Sequence, residues 1–249
     1  MEKVKDFFRK LIQWLFRLLF GLFVLSIALV IIYRFVPVPI TPLMFTRCFE
    51  KGEYNVHKSW VSLKNISPEL PLALVAGEDN NFLTHNGFDF EAIKKAVKFN
   101  EEHKKTIGAS TISQQTAKNV FLWNGRTYLR KAIEVYFTEL IEIFWDKRRI
   151  MEVYLNVIEM GDGIYGAEMA SQTYFKKPAK NLTRNEAAWI SSIVPNPLNW
   201  SPLKPNATVN YRHEVILWNM GNIMKVDYDH PVKYDNPEMK SEPSTKRAK

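Results

Sequence analysis

The residues best suited to acid–base chemistry lie in the stretch 78–89, which follows the apolar run 71–76. A carboxylate at the end of an apolar helix loses hydration, and burial raises its pKa because the charged form is disfavoured. Glu78 is therefore a candidate general base. A simpler arrangement fits the same residues: one helix ends, an Asx-type turn follows, and Asp89 caps the next helix.

A candidate anion site lies in the stretch 108–115, where a glycine-containing loop runs into a predicted helix. Thr111 and Gln114 have the spacing of a capping box. The backbone N–H groups at such a helix start can bind an anion, and the hydroxyls of Ser110 and Thr111 could add donors. Lys118 lies further along the same predicted helix. A well-capped helix without any ligand explains the pattern equally well.

Cations and a second carboxylate follow at Arg126, Arg130, Lys131 and Glu134. The spacing of three and four residues places the last three on one helical face. Taken alone, this pattern is also typical of an ordinary solvated salt-bridge face. The combination of two acids, a helix start suited to an anion and a cluster of cations nevertheless favours chemistry on an anionic substrate.

Helices must position these residues, because helical periodicity dominates the chain and no sustained alternation of the strand type occurs. Asp89 is the predicted N-cap of one helix. A longer apolar periodicity runs from about residue 129 to 155, and residues 185–193 predict another buried helix. We therefore predict a mainly α domain with irregular segments near 161–166 and 195–205.

The N-terminus has the pattern of a membrane anchor. The uncharged run 18–33 can cross a hydrocarbon core of about 30 Å if Arg17 and Arg34 snorkel outward. Cations are more numerous before this run than after it, so the positive-inside rule predicts a cytoplasmic N-terminus over residues 1–17 and a span over 18–36. A cleaved signal peptide is disfavoured, because no small residues follow the run. A buried core helix is the alternative.

The remaining boundaries follow from composition. Prolines open the segment 37–62, which we predict to be a linker and membrane-proximal segment. The soluble domain is expected over 63–226. Residues 227–249 carry many charges and little apolar content, which predicts a disordered tail.

Composition also narrows the function classes. The chain has 249 residues, of which 46% are hydrophobic, and this supports a large buried core. A single cysteine, Cys48, excludes an internal disulfide and a zinc site of four thiolates. The net charge of +8 indicates an anionic partner, either nucleic acid, a membrane surface or a phosphorylated substrate. Phosphate-loop, dinucleotide, zinc-protease and hydrolase-elbow motifs are absent from the sequence.

At the residues described above, the chain resembles the peptidoglycan glycosyltransferases of glycosyltransferase family 51, in particular the monofunctional biosynthetic transglycosylases. The family's first motif, Glu-Asp-x-x-Phe-x-x-His-x-Gly, is matched by residues 78–87. Its second motif, Gly-Gly-Ser-Thr-Ile-Thr-Gln-Gln-x-x-Lys-Asn, is matched by residues 108–119, with Ala109 and Ser113 as small departures. Later family motifs, in the family's order, are matched at 130–134, 150–156, 163–166 and 174–175.

The resemblance implies a lysozyme-like glycosyltransferase domain, preceded by one transmembrane helix, that polymerises lipid II into β-1,4 glycan strands. It implies a single-pass protein of the bacterial inner membrane with a periplasmic catalytic domain. The implied partners are lipid II, the growing glycan strand, the membrane and proteins of cell-wall synthesis or division, with no nucleic acid and no organic cofactor. Bifunctional relatives carry a transpeptidase domain, which we do not expect here because few residues follow the matched region.

The resemblance also assigns roles. Glu78 would take the proton of the acceptor C4 hydroxyl as that oxygen attacks C1 of the donor sugar, with inversion and release of undecaprenyl pyrophosphate. The departing anion needs charge stabilisation more than a proton. The candidates for that role are Lys118, Arg126 and Arg130, together with the helix start at Ser110 and Thr111.

The other matched polar residues have less defined roles. Glu134 corresponds to the family's second essential acid, and it would position the cations or bind a divalent metal such as Mg²⁺ or Mn²⁺. Gln114, Gln115 and Asn119 are placed to hydrogen-bond sugar or phosphate, and they could equally be structural.

Two other functions compete with this one. A lytic, lysozyme-like muramidase would share the substrate chemistry, but it would need neither the cation cluster nor the anchor. A non-catalytic scaffold for cell-wall proteins would leave Glu78 with a capping role only.

Overall fold

The computed structural model describes residues 2–51, 57–103, 107–125 and 127–234. The chain divides into an N-terminal unit that ends at Pro37 and a second unit that begins at Val38. The first unit is formed by α1 (Glu2–Phe35), which is long and apolar enough to cross a membrane and has little of its surface buried. This helix starts well before the predicted span 18–36, since the basic residues ahead of the apolar run are helical too.

The second unit is mainly helical within the described residues, as the sequence predicts. Its helices are α2 (Pro42–Lys51), α3 (Glu69–Glu78), α4 (Phe90–Glu102), α5 (Ile112–Phe121), α6 (Tyr128–Phe144), α7 (Lys147–Val157), α8 (Ala167–Phe175), α9 (Arg184–Ile193) and α10 (Ala207–Ile223). Two short parallel strands, β1 (His57–Lys58) and β2 (Ile164–Tyr165), pair His57 with Ile164. A 3-10 turn covers Leu63–Asn65.

The core of this unit is built around α3, whose residues 70–76 are all buried. Helices α9 and α10 both pack on α3, and α5 packs on α6 and α7. Ser191 of α9 donates its hydroxyl to the Ala73 carbonyl at 2.8 Å, and Asn219 of α10 donates to the Ala76 carbonyl at 3.0 Å. A Cβ at Gly77 would lie 2.6 Å from the Ser191 hydroxyl, so a glycine is needed where α3 approaches α9. The end of α3 is thereby held firmly in place.

Two helix boundaries differ from the sequence predictions. The apolar periodicity over 129–155 belongs to two helices, because α6 ends at Phe144 and Asp146 caps α7 by accepting from the Arg149 N–H at 2.7 Å. The predicted linker 37–62 contains α2, which begins at a proline. Proline favours the first helical turn, and the Thr41 hydroxyl accepts the Met44 N–H at 3.3 Å as a cap.

The start predicted for the disordered tail, residue 227, is also too early. Asp229 forms an ion pair of 2.6 Å with Arg148, and the Tyr234 N–H donates to the Asn81 side-chain oxygen at 3.1 Å. The Tyr234 hydroxyl donates to the Ile223 carbonyl at 3.0 Å. These contacts pack residues 227–234 on the helical unit. Residues 235–249 lie outside the described part of the chain.

Asn156 of α7 fastens the segment before α3 to the core. Its side chain is fully buried, accepts the Val61 N–H at 2.9 Å and donates to the Val61 carbonyl at 2.8 Å. Both backbone groups of Val61 therefore depend on one amide, which replaces the strand partner that this segment lacks.

We expect Asn156→Ala to destabilise the protein by about 2–3 kcal/mol, because two backbone groups lose their partner. For a unit of this size the melting temperature should fall by about 4–12 °C. Thermal unfolding of the full chain in detergent measures the change, with the exposed Asn65→Ala as the matched control. An Asn156→Ala protein that melts with the control would refute this role.

Candidate active site

Glu78 is the last residue of α3 and follows the buried stretch 70–76 of that helix. One carboxylate oxygen accepts from an Arg212 guanidinium nitrogen at 2.9 Å, and the other accepts from the Gln115 amide at 3.0 Å. Burial raises the pKa of Glu78 above its usual range, although Arg212, Gln115 and Lys118 all oppose the shift. A carboxylate with a raised pKa lies closer to the range in which a general base works best at neutral pH.

Gln115 is oriented by a second hydrogen bond. The hydroxyl of Tyr154 on α7 donates to the Gln115 carbonyl oxygen at 3.0 Å, which turns the amide nitrogen toward Glu78. Tyr154 is fully buried, and burial raises the pKa of its hydroxyl further above the usual value, so the phenol keeps its proton. Residues of α5 and α10 thus contact the carboxylate at the end of α3, and α7 orients the amide of α5.

Lys118 is attracted electrostatically to both predicted acids. Its ammonium interacts with both Glu134 and Glu78, while burial lowers its pKa. Within the part of the chain that the structure describes, the ammonium group of Lys118 has no hydrogen-bond or ion-pair partner within 4 Å. A desolvated ammonium in this state gains strongly from an anionic ligand.

Glu134 is buried on α6 and is held by two cations from the preceding turn. Arg130 donates to one of its oxygens at 3.3 Å, and Lys131 donates to the other at 2.5 Å. The predicted spacing on one helical face is therefore confirmed. Since both carboxylate oxygens face the chain's own cations, this geometry favours the role of positioning cations.

A cavity of about 500 Å³ opens beside these groups. Its lining includes Gln115, Lys118, Asn119 and Arg130. Glu78 does not line the cavity itself, but it contacts the lining residue Gln115. The side-chain amide of Asn119 donates to the Gln115 carbonyl in the backbone at 2.7 Å. The structure therefore brings together four of the predicted substrate-binding residues, next to the candidate base.

The start of α5 is held by contacts within the chain. Thr111 and Gln114 form the predicted capping box, and both side chains are buried. The Thr111 hydroxyl donates to the Gly87 carbonyl at 2.6 Å, and the Ile112 N–H donates to an Asp79 oxygen at 2.9 Å. Both side chains therefore serve the helix cap in this structure, and their contact with a substrate stays a prediction.

The remaining two candidates are Ser110 and Arg126. Ser110 is exposed and does not line the cavity. Arg126 lies outside the residues that the structure describes.

Sequence reasoning missed three residues of the site. Arg212 is separated from Glu78 by most of the domain and lies in no recognisable motif, so no signal in the sequence could have found it. Tyr154 and Asp79 do fall within matched motifs, but their partners depend on how α3, α5 and α7 pack. Asp79 also lies 2.9 Å from the ring nitrogen Nε2 of His85, a contact that requires a proton on that nitrogen.

Comparison with known proteins agrees with these motifs. A model of the transglycosylase family matches residues 46–221. A biosynthetic peptidoglycan transglycosylase of Bdellovibrio bacteriovorus is 51% identical over 209 residues, which cover 82% of this chain and 84% of that protein. The protein of the same name from Haemophilus influenzae is 49% identical over 213 residues, covering 83% and 87%. That of Caulobacter vibrioides is 51% identical over 214 residues, covering 84% and 91%.

The matched region contains α3, α5, α6 and α7, which carry Glu78, Lys118, Glu134 and Tyr154, and it extends to Arg212 of α10. The resemblance drawn from the sequence motifs is confirmed, and the chain belongs to the transglycosylase family.

Proposed function

We propose that this protein is a peptidoglycan glycosyltransferase that polymerises lipid II into β-1,4 glycan strands and releases undecaprenyl pyrophosphate. The observation that carries the proposal is the pairing of a desolvated carboxylate, Glu78, with a cavity lined by Lys118 and Arg130. One group can accept a proton, and the other two can stabilise a departing diphosphate. The names of the relatives support the same activity.

In the proposed reaction, the C4 hydroxyl of an acceptor sugar attacks C1 of the donor sugar. A C4–O–C1 bond forms, the bond from C1 to the diphosphate oxygen breaks, and its electron pair leaves with the diphosphate. The hydroxyl proton passes to Glu78, because an alcohol attacks well only as it loses its proton. A single displacement inverts the configuration at C1.

The diphosphate develops negative charge as it leaves, and cations that are already in place lower the barrier without reorganisation. Lys118 and Arg130 meet this need. Glu134 holds Arg130 at the cavity through their 3.3 Å contact, so it acts through the cation. Arg126 remains a predicted member of the set.

A divalent metal remains a prediction of the sequence alone. Both Glu134 oxygens bind cations of the chain, and no group of three or more His, Cys, Asp or Glu among the described residues is arranged to hold a metal ion. The proposed reaction therefore relies on the cations of the chain and uses no metal.

The apolar helix α1 is consistent with a single-pass anchor. We propose that the N-terminus is cytoplasmic and that the helical unit lies on the outer side of the inner membrane, as the distribution of cations favours. An anchor confines the enzyme to the surface that holds a polyprenyl substrate, which raises their effective concentration. Proteins of cell-wall synthesis or division are the proposed partners.

A lytic muramidase is less well supported. Such an enzyme needs an acid that protonates a sugar oxygen, and a cavity lined by cations adds nothing to that step. A scaffold has no need of a desolvated carboxylate beside a cavity lined by cations, because removing charged groups from water is costly.

Glu78→Gln should lower the rate of glycan synthesis by at least about 100-fold, because the amide cannot accept the proton. Labelled lipid II, with products resolved by length, measures the effect, and Glu101→Gln on the exposed face of α4 is the control. Full activity in Glu78→Gln would show that Glu78 is not the base, and absence of both synthesis and cleavage in the unmutated protein would support the scaffold. Cleavage of preformed glycan without any synthesis would support the muramidase.

Arg212→Met should move the acidic limb of the pH–rate profile to higher pH. Burial already raises the pKa of Glu78, and Arg212 opposes that rise, so its loss raises the pKa further. Glu78 must be deprotonated to act, and a higher pKa makes the base available only at higher pH. A lower rate with an unmoved limb would assign Arg212 a purely structural role, and Arg148→Met at an exposed ion pair is the control.

A chain shortened to begin at Val38 should lose at least about tenfold in rate on lipid II in vesicles, since it is no longer confined with the substrate. Its rate on a soluble, short-chain lipid II analogue should change little. Equal retention of both activities would show that the anchor does not supply the proposed effective concentration.

A further inference from the structure

Residues 224–234 follow α10 and pack back on the helical unit, and they are termed the strap. They lie beyond the region 46–221 that the transglycosylase family model matches, so that match assigns them no role. The strap begins at Met224 with φ 63° and ψ −54°, and the Lys225 N–H donates to the Ile223 carbonyl at 2.8 Å. This is a γ-turn of the rare, strained kind. Such strain persists only where the surrounding contacts outweigh its cost.

Both ends of the strap bond to one carbonyl. The Tyr234 hydroxyl donates to the Ile223 carbonyl at 3.0 Å, so this oxygen accepts from the first turn of the strap and from its last residue. Between them, Asp227 accepts the N–H groups of Asp229 and His230, each at 3.1 Å. Because Ile223 is buried at the end of α10, the closed strap is attached to the core of the unit.

Two ion pairs lay the strap across the starts of α7 and α4. Arg148 pairs with Asp229 at 2.6 Å, and Lys233 pairs with Glu91 at 2.8 Å. The four side chains are between 49% and 70% exposed, and ion pairs at such positions contribute little to stability. These pairs guide the strap along the surface but do not fix it.

Asn81 is the residue through which the strap reaches the loop 79–89. Its side-chain oxygen accepts the Tyr234 N–H at 3.1 Å, and its amide nitrogen donates to Asp89 at 3.2 Å. Asp89 in turn caps α4 by accepting the Ala92 N–H at 2.8 Å. One amide therefore joins the strap, the loop and the start of α4.

Asn81 lies in the turn that directly follows the candidate base. The Phe82 N–H donates to the Asp79 carbonyl at 3.1 Å and closes this turn, and the Phe82 side chain is fully buried. Asp79 follows Glu78 and accepts an N–H at the start of α5. A displacement of Asn81 is therefore transmitted to Glu78 through a closed turn. Misplacing a reacting group by about 1 Å can lower a rate by about 100-fold.

The strap acts at a distance from the cavity. None of the described residues 79–89 or 224–234 lines it. A change in the strap should therefore alter the position of the base without altering the substrate contacts proposed for Lys118 and Arg130. This separates a role in positioning from a role in binding.

We propose that the strap positions Glu78 for proton transfer, with Asn81 and Tyr234 as its positioning residues. The proposal rests on the proposed function, and it adds a support for the base that lies outside the matched family region. Neither residue touches the substrate, because both act through the turn that begins at Asp79.

Initial rates on lipid II with full-length variants in detergent test the proposal. Tyr234→Pro removes the N–H that Asn81 accepts, and it should lower kcat by about threefold to tenfold, the range that corresponds to one neutral hydrogen bond, with KM unchanged. Tyr234→Phe keeps that N–H and should lose less activity. Val232→Ala, at an exposed position of the strap, is the control.

A double variant tests the path through Asn81. Asn81→Leu loses both partners of the amide, so it should lower kcat at least as much as Tyr234→Pro. In the Asn81→Leu background, Tyr234→Pro should cost no further activity, since the bond that it removes is already gone. Losses that multiply in the double variant would overturn this path and the proposal with it.

Hydrogen exchange measures the same link without any substrate. The amides of residues 79–89 should exchange faster in Tyr234→Pro than in the unmutated protein, whereas those of α8 should be unchanged. This difference in a protein unable to polymerise lipid II would contradict the proposed function and leave the hold of the strap on the loop standing.

Unchanged kcat in Tyr234→Pro, or unchanged exchange over residues 79–89, would overturn the proposal. A fall in kcat that is matched by a rise in KM and by a lower melting temperature would also overturn it, because the strap would then only stabilise the fold.

Discussion

The carboxylate of Asp79 joins the two segments on which the site depends. It follows Glu78 directly, and it accepts the Ile112 N–H at the start of α5 while it also contacts His85. Because α5 carries Gln115 and Lys118, this one carboxylate sets the position of the candidate base relative to the amide and the cation that face it. A charge-assisted bond to a helix N-terminus is among the stronger polar interactions available in a buried place.

The packing of α3 explains why Glu78 is both buried and accessible to chemistry. A helix that is apolar on all sides must lie in the core, and α9 and α10 cover it as far as Gly77. The carboxylate appears at the first position where the helix leaves the core. It is desolvated by its surroundings, and the one guanidinium and one amide that contact it do not cancel the resulting rise in pKa.

In the rest of the site, some charged groups form ion pairs and others do not. Glu134 is engaged by both Arg130 and Lys131, whereas Lys118 lies near two acids without a direct contact to either. An excess of cations at the cavity is costly without a ligand, because buried charges need compensation. The same excess is useful if the ligand is a diphosphate, and the cost is then recovered on binding.

The sequence by itself determined the helical class, the apolar N-terminal helix, the capping box of Thr111 and Gln114, and the family. These features depend on local periodicity, on side chains that bond to nearby backbone, and on contiguous motifs. Glu78, Lys118, Arg130 and Glu134 could be selected for the same reason, since each lies in a motif. Only the tertiary structure decided that Asp79 accepts the N–H at the start of α5, that Arg212 and Tyr154 complete the surroundings of Glu78, and that Lys118, Asn119 and Arg130 line one cavity. Those contacts join residues far apart in the chain, and which of them form depends on how whole helices pack, a property that no local spacing encodes.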